Sequence, residues 1–188
     1  MILPIWASLL GLFGGAVLVP EHIDPTTRSA LDSRSYLIGS LGEAYNEHYF
    51  VFLPRSADFP EVRVEGIYGG LSWASFEPRA AFTVSAPGDV WGGVGVSYTK
   101  YWQVGGDGNT LFVGANFIPG YADFDPGRGE YNEFRHRSGI LFRSQLEFGI
   151  ITSNRFRVSF YVDHRSNAGI SNPNFGYDTA GINIGYAF

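Results

Sequence analysis

From residue 36 to Phe188 the chain repeatedly alternates apolar and polar side chains with period two, and this constrains its fold more than any other feature. A strand turns successive side chains to opposite faces, so period two marks a strand whose two faces meet different surroundings. A helix would need a period of about 3.6, and no long amphipathic helix stands out after residue 35. Eight such runs are separated by turn residues: 36–43 (the weakest), 61–70, 79–85, 91–102, 110–117, 138–151, 155–166 and 178–188. Pro87-Gly88-Asp89, Gly105-Gly106-Asp107-Gly108-Asn109 and Thr152-Ser153-Asn154 supply turns between them.

The two faces are chemically distinct. Val94, Val96 and Tyr98 oppose Gly93, Gly95, Ser97 and Thr99. Ile140, Phe142, Leu146, Phe148 and Ile150 oppose Arg143, Gln145, Glu147 and Gly149. Phe156, Val158, Phe160 and Val162 oppose Arg157, Ser159, Tyr161 and Asp163. A soluble barrel would turn the apolar set inward. Here the other set mixes glycine with arginine and glutamate, which suits a small packed polar lumen where Arg63, Glu65, Arg143 and Glu147 can pair. The apolar set then faces lipid. Eight strands close a barrel whose interior side chains fill, leaving no water-filled pore. The 25 glycines, 16 phenylalanines, 11 tyrosines and 4 tryptophans, against 16% charged residues, fit this reading; soluble domains carry about 25% charged residues. The expected fold class is all-β, an eight-stranded antiparallel outer-membrane β-barrel. A soluble β-sandwich with one wet face, acting as a binding module, is the alternative.

The flanks divide the 188 residues into three parts. Residues 2–19 are apolar, carry no charge and contain Pro4, Gly11, Gly14 and Gly15. Residues 1–20 are expected to be an export signal, although the positive n-region is missing; a retained anchor or an ordinary apolar arm are the other readings. Residues 21–34 are polar and read as a leader or periplasmic arm, and 35–188 as one barrel domain. Short turns near 86–89 and 152–154, with longer segments near 118–137 and 167–177, suggest connections of alternating length with the longer ones facing outward. The last strand should end in the periplasm, which puts His164 near the outer end of the seventh strand.

Composition closes off several functions. A net charge of −5 and the lack of a basic patch give no reason to expect a nucleic-acid partner. Without cysteine there are no disulfides, no thiolate metal sites and no cysteine nucleophile. No glycine-rich phosphate loop or histidine-rich metal cluster is present, so no cofactor is expected.

What remains is a group on the last two strands. His164 and Ser166 stand two residues apart and continue the lipid-facing series Phe156 to Val162. Asp178 opens the series Ala180, Ile182, Ile184, Tyr186 and Phe188 on the same face of the next strand. A histidine, a serine and an aspartate facing lipid are costly in a barrel with no use for them. As a triad, Ser166 would be the nucleophile and His164 the general base, with Asp178 fixing the imidazole tautomer. Asn167, or a backbone amide near Ala168-Gly169, would hold the oxyanion. The competing reading makes His164 and Ser166 interfacial polar residues at a strand end and Asp178 a turn carboxylate. His136-Arg137-Ser138 repeats the spacing and reads as a solvated loop end or a second site element.

The segment His164-Arg165-Ser166-Asn167-Ala168-Gly169-Ile170, followed by Pro173-Asn174 and the aromatic-ended strand, resembles the C-terminal signature of PagL-type lipid A 3-O-deacylases. The resemblance is specific over residues 138–188 and diffuse over 60–137. It implies an eight-stranded outer-membrane barrel that removes an ester-linked acyl chain from lipid A without a metal. His164 and Ser166 match the family's base and nucleophile, Asn167 its oxyanion asparagine, and Asn174 a second asparagine of that connection. Gly169 belongs to the same supporting group. The implied partner is the lipopolysaccharide of the outer leaflet. One residue departs: the family's acid is a glutamate fourteen residues after the histidine, and this chain has Asp178. The shorter side chain requires the register or the imidazole to adjust by roughly an ångström, a shift that costs about 100-fold in rate. A non-catalytic structural or adhesive small barrel is the alternative function. A lipid-facing wall carries no readable interface code, so monomer and homodimer are both open.

Two weaker signals complete the reading. The 105–109 segment can turn a hairpin or bind a cation, although it lacks the carboxylates of a calcium loop. Trp91, Trp102, Tyr101, Tyr161 and Tyr186 lie near expected strand ends and fit either a lipid-interface girdle or core packing.

Overall fold

The computed structural model describes residues 30–31, 33–45, 59–73, 76–86, 88–104, 108–123, 138–170 and 176–188. It contains β1 (Tyr36–Tyr45), β2 (Phe59–Ile67), β3 (Phe76–Ser85), β4 (Val90–Val104), β5 (Asn109–Asp123), β6 (Gly139–Ile151), β7 (Phe156–Ser166) and β8 (Tyr177–Ala187). Each strand pairs antiparallel with the next, and β8 pairs with β1 to close the barrel. The seam is tied at its end by the Phe188 N–H, which donates to the Ser35 carbonyl at 3.0 Å.

The expected runs correspond one to one with the strands, although several ends differ: β1 and β4 run two residues further, to Tyr45 and Val104, and β3 starts three residues earlier, at Phe76. β5 continues to Asp123 through Pro119-Gly120, taking up the first part of the longer segment expected near 118–137. Those two residues interrupt the composition but not the alternation, since Ile118 and Ala122 are buried while Phe117 and Tyr121 are exposed. β2 ends at Ile67, and Gly69–Leu71 form a short 3-10 turn instead of continuing the strand. The connections do not alternate in length as expected. The 86–89 turn joins β3 to β4, so the antiparallel topology puts it at the same end as the segments that follow β5 and β7. Residues 1–29, with the expected export signal and most of the arm, lie outside the described residues.

Burial is inverted relative to a soluble protein. Leu41, Val94, Ile184 and Phe148 are among the most exposed large side chains on the outer wall. The described interior holds five arginines (63, 79, 143, 157 and 165) and five carboxylates (Glu61, Glu65, Glu77, Glu147 and Asp163), all buried. Arginine suits this interior because its fork of donors satisfies carboxylates from several directions. Arg63 and Arg143 both meet Glu65, at 3.1 and 2.9 Å. Glu147 pairs instead with Arg79 and Arg157, at 2.8 and 2.7 Å. An apolar cluster caps this charged layer at each end. One contains Leu31, Tyr36, Ile67, Phe112 and Ile151, and the other Ala44, Trp91, Ile118, Leu141 and Tyr177.

The five aromatic residues near strand ends divide between the two roles. Trp91, Tyr101 and Tyr161 point into the barrel and are buried. Tyr186 faces outward and Trp102 is half-buried on the outer series. Outward aromatic pairs near the end carrying Phe188 come from other residues as well: Phe76 meets Tyr98 at 5.2 Å and Phe156 meets Tyr186 at 5.3 Å between ring centroids.

Candidate active site

Strands β7 and β8 pair so that His164 lies directly across from Asp178. Both side chains emerge on the outer wall, each 19% exposed, and Nδ1 of His164 is 2.8 Å from Oδ1 of Asp178. An ionised carboxylate only accepts, so Nδ1 carries the proton and donates it to Asp178, which leaves the Nε2 lone pair as the basic position. The aspartate reaches the imidazole because the two residues are direct cross-strand partners.

Ser166 is the last residue of β7 and stands on the same wall two residues beyond His164, half-buried. Its partner in β6 is Phe142, whose ring stacks on Phe117 of β5 at 5.8 Å with an interplanar angle of 11°. The serine hydroxyl forms no hydrogen bond to another described residue. Catalytic hydrogen bonds are often long before substrate binds, so this geometry is compatible with a nucleophile–base pair.

The connection after β7 starts as a tight turn. The Ile170 N–H donates to the Asn167 carbonyl at 3.1 Å, and Ala168 and Gly169 take φ of 53° and 81°. Two successive positive φ values define a type I′ turn, which explains the glycine at its second central position. Asn167 follows the inward series and is buried; its Oδ1 accepts the Gly169 N–H at 2.9 Å. The structure therefore brings His164 and Asp178 into contact, sets Ser166 beside them, and places Asn167 and Gly169 in the adjoining turn. Asn174 lies outside the described residues.

One neighbour was not visible as a candidate in the sequence. Gly176 is buried just before β8, and a Cβ there would come within 2.5 Å of Cε1 and 3.0 Å of Nε2 of His164. The imidazole edge that carries Nε2 thus lies against a position where only glycine fits. The sole sequence signal is a glycine two residues before the carboxylate, which is weak in a chain with 25 glycines. Of the second His-x-Ser motif, His136 and Arg137 lie outside the described residues, and Ser138 donates from Oγ to Oδ1 of Asp123 at 2.8 Å. In the 105–109 segment, Oδ1 of Asn109 accepts the Ser153 N–H at 3.2 Å, a bond between neighbouring turns.

Comparison with known proteins agrees with this architecture. The model of the family described as Lipid A 3-O-deacylase (PagL) matches residues 60–187. Among solved structures, the chain is similar to the outer membrane enzyme PagL, with a TM-score of 0.59 and 14% identity, covering 80% of this chain and 98% of that one. It is also similar to Neisserial surface protein A, with a TM-score of 0.51 and 10% identity, covering 82% and 94% respectively. No curated protein matches. At these identities the structural likenesses speak for the fold alone, an outer-membrane β-barrel. The family match spans most of the chain and ends one residue before Phe188, so it takes in β2 to β8 and the whole His164–Asp178 segment: the chain belongs to the lipid A 3-O-deacylase (PagL) family.

Proposed function

We propose that this protein hydrolyses an ester-linked acyl chain of lipid A in the outer leaflet, working on the outer wall of the barrel as a 3-O-deacylase. The observation that carries the proposal is the 2.8 Å contact between His164 and Asp178 on a face otherwise built for lipid, with Ser166 beside it. A polar pair among exposed apolar side chains costs stability unless it has work to do.

The chemistry follows from the residues. As Ser166 Oγ attacks the acyl carbonyl carbon, its proton passes to Nε2 of His164. The imidazolium that forms is stabilised by Asp178 through Nδ1–H. The carbonyl oxygen becomes an oxyanion, for which a backbone amide near Ala168 is the donor in this reading, supported by Asn174 of the same connection, while the inward Asn167 side chain holds the turn through the Gly169 N–H. Collapse breaks the ester C–O bond, and the departing sugar oxygen takes the proton from Nε2. Water then attacks the acyl-serine with His164 again as base, releasing a fatty acid and restoring Ser166. The Phe142–Phe117 stack beside Ser166 offers an apolar surface for the acyl chain, and a chain already in the leaflet reaches it without leaving the hydrocarbon.

The test is mass spectrometry of lipid A from a Gram-negative host producing this protein. The expected result is loss of one hydroxyacyl chain, abolished by Ser166→Ala. Unchanged lipid A in a host whose outer membrane holds the folded barrel would overturn the proposal.

A further inference from the structure

On the inner face of the barrel, one pair along from His164 and Asp178, Arg165 of β7 lies across from Tyr177 of β8. The Arg165 guanidinium donates from Nη1 to the Tyr177 hydroxyl at 2.8 Å, and from Nη1 and Nη2 to the two Glu61 oxygens of β2 at 2.6 Å each. It also lies over the rings of Trp91 and Tyr177, at 5.1 and 5.3 Å from their centroids. Glu61 accepts in turn from Arg63 at 2.7 Å, and Arg63 donates to Asp163. Both sequence neighbours of His164 are therefore tied, from inside the wall, into one network that holds β7, β8 and β2. None of these groups faces the lipid side, so none can touch a substrate there.

Arg165↔Tyr177 is also the last pair of the β7–β8 ladder before the connection. A strand end without such a tie frays, and fraying would separate His164 from Asp178. Resting on the reading of these two residues as base and acid, we propose that Arg165, Tyr177 and Glu61 form a positioning latch that holds the outer-wall pair in register through the backbone. Bidentate charge-assisted bonds have the geometric specificity for this, and misplacing a base by about an ångström costs up to about 100-fold in rate. Arg157 is the natural control. It is an equally buried arginine of β7, paired with Glu147 at 2.7 Å, but it lies at the opposite end of the strand.

The test compares Tyr177→Phe, which removes a single oxygen, with Glu61→Gln and with Arg157→Lys, each purified as the full barrel in micelles. The first readout needs no activity: the nitrogen and δ1-proton resonances of His164, identified by their loss in His164→Asn. Tyr177→Phe and Glu61→Gln are expected to shift or broaden them, and Arg157→Lys to leave them in place. The second readout is deacylation of purified lipopolysaccharide in mixed micelles, where Tyr177→Phe should lower kcat about tenfold with KM unchanged. His164 resonances unmoved by Tyr177→Phe, or moved equally by Arg157→Lys, would overturn the latch. Resonance changes in a protein with no deacylase activity before or after Ser166→Ala would uphold the latch and remove the lipid A reading instead.

Discussion

Asp178 is one methylene shorter than the glutamate implied by the family resemblance, and from its place directly across from His164 it still reaches Nδ1. Opposed residues in an antiparallel pair hold their Cβ atoms about 4.5–5.5 Å apart, within reach of an aspartate and an imidazole. The contact is made within that pairing, at 2.8 Å between Nδ1 and Oδ1. Asp178→Asn should lower turnover by about 10³–10⁴-fold, because the amide no longer holds the Nδ1–H tautomer or stabilises the cation; rates on lipopolysaccharide in micelles check this. Gly176→Ala should cost about 100-fold in the same assay while the barrel keeps its heat-modifiable gel mobility. The added Cβ would sit 2.5 Å from the His164 ring and 3.2 Å from the Arg165 carbonyl oxygen, so the imidazole must move.

At the scale of the element, β7 and its turn carry most of the site. The strand delivers His164 and Ser166 to one wall, and the Asn167–Ile170 turn ends it abruptly. Gly169, at φ 81°, is the conformational requirement of that turn, so Gly169→Val should destabilise the protein by about 1–2 kcal/mol and depress activity with it. Ala168→Gly relieves a positive φ and should leave activity intact. Urea unfolding in micelles beside the rate assay separates the two effects. The alternation that revealed these strands also contained the answer for the aromatic residues. Trp91 and Tyr101 share the parity of Gly93 and Ser97, and Tyr161 that of Arg157, which is the inner face. Position near a strand end suggested a girdle; parity decides which way a ring points, because successive side chains of a strand cannot share a face.

For the whole molecule, the charged layer between two apolar caps is the main structural commitment. Buried ion pairs are weak evidence for net stability, but removing one partner leaves charge without compensation. Glu65 serves Arg63, Arg79 and Arg143 together, so Glu65→Leu should cost at least about 3–5 kcal/mol, read from the urea midpoint in micelles. On the outer wall the sign of the rule reverses. Phe160→Arg puts a charge among lipid chains and should cost about 2–4 kcal/mol in vesicles if it lies near the midplane, with a much smaller effect in detergent.

By itself, the sequence determined the eight strands, the face to which each side chain turns, the inverted burial, and the placing of His164, Ser166 and Asp178 on one wall. All of these are local properties, since the direction of a side chain depends only on its parity within its own strand. The tertiary structure decided what parity leaves open. Sliding a strand by two residues preserves every face, so alternation cannot say that His164 meets Asp178, that Phe142 lies beside Ser166, or that Glu147 takes Arg79 and Arg157. Those pairings follow from the register that lets eight strands close on themselves. The place of Gly176 against the imidazole is settled the same way, since Gly176 directly precedes β8 and the register sets Asp178 across from His164.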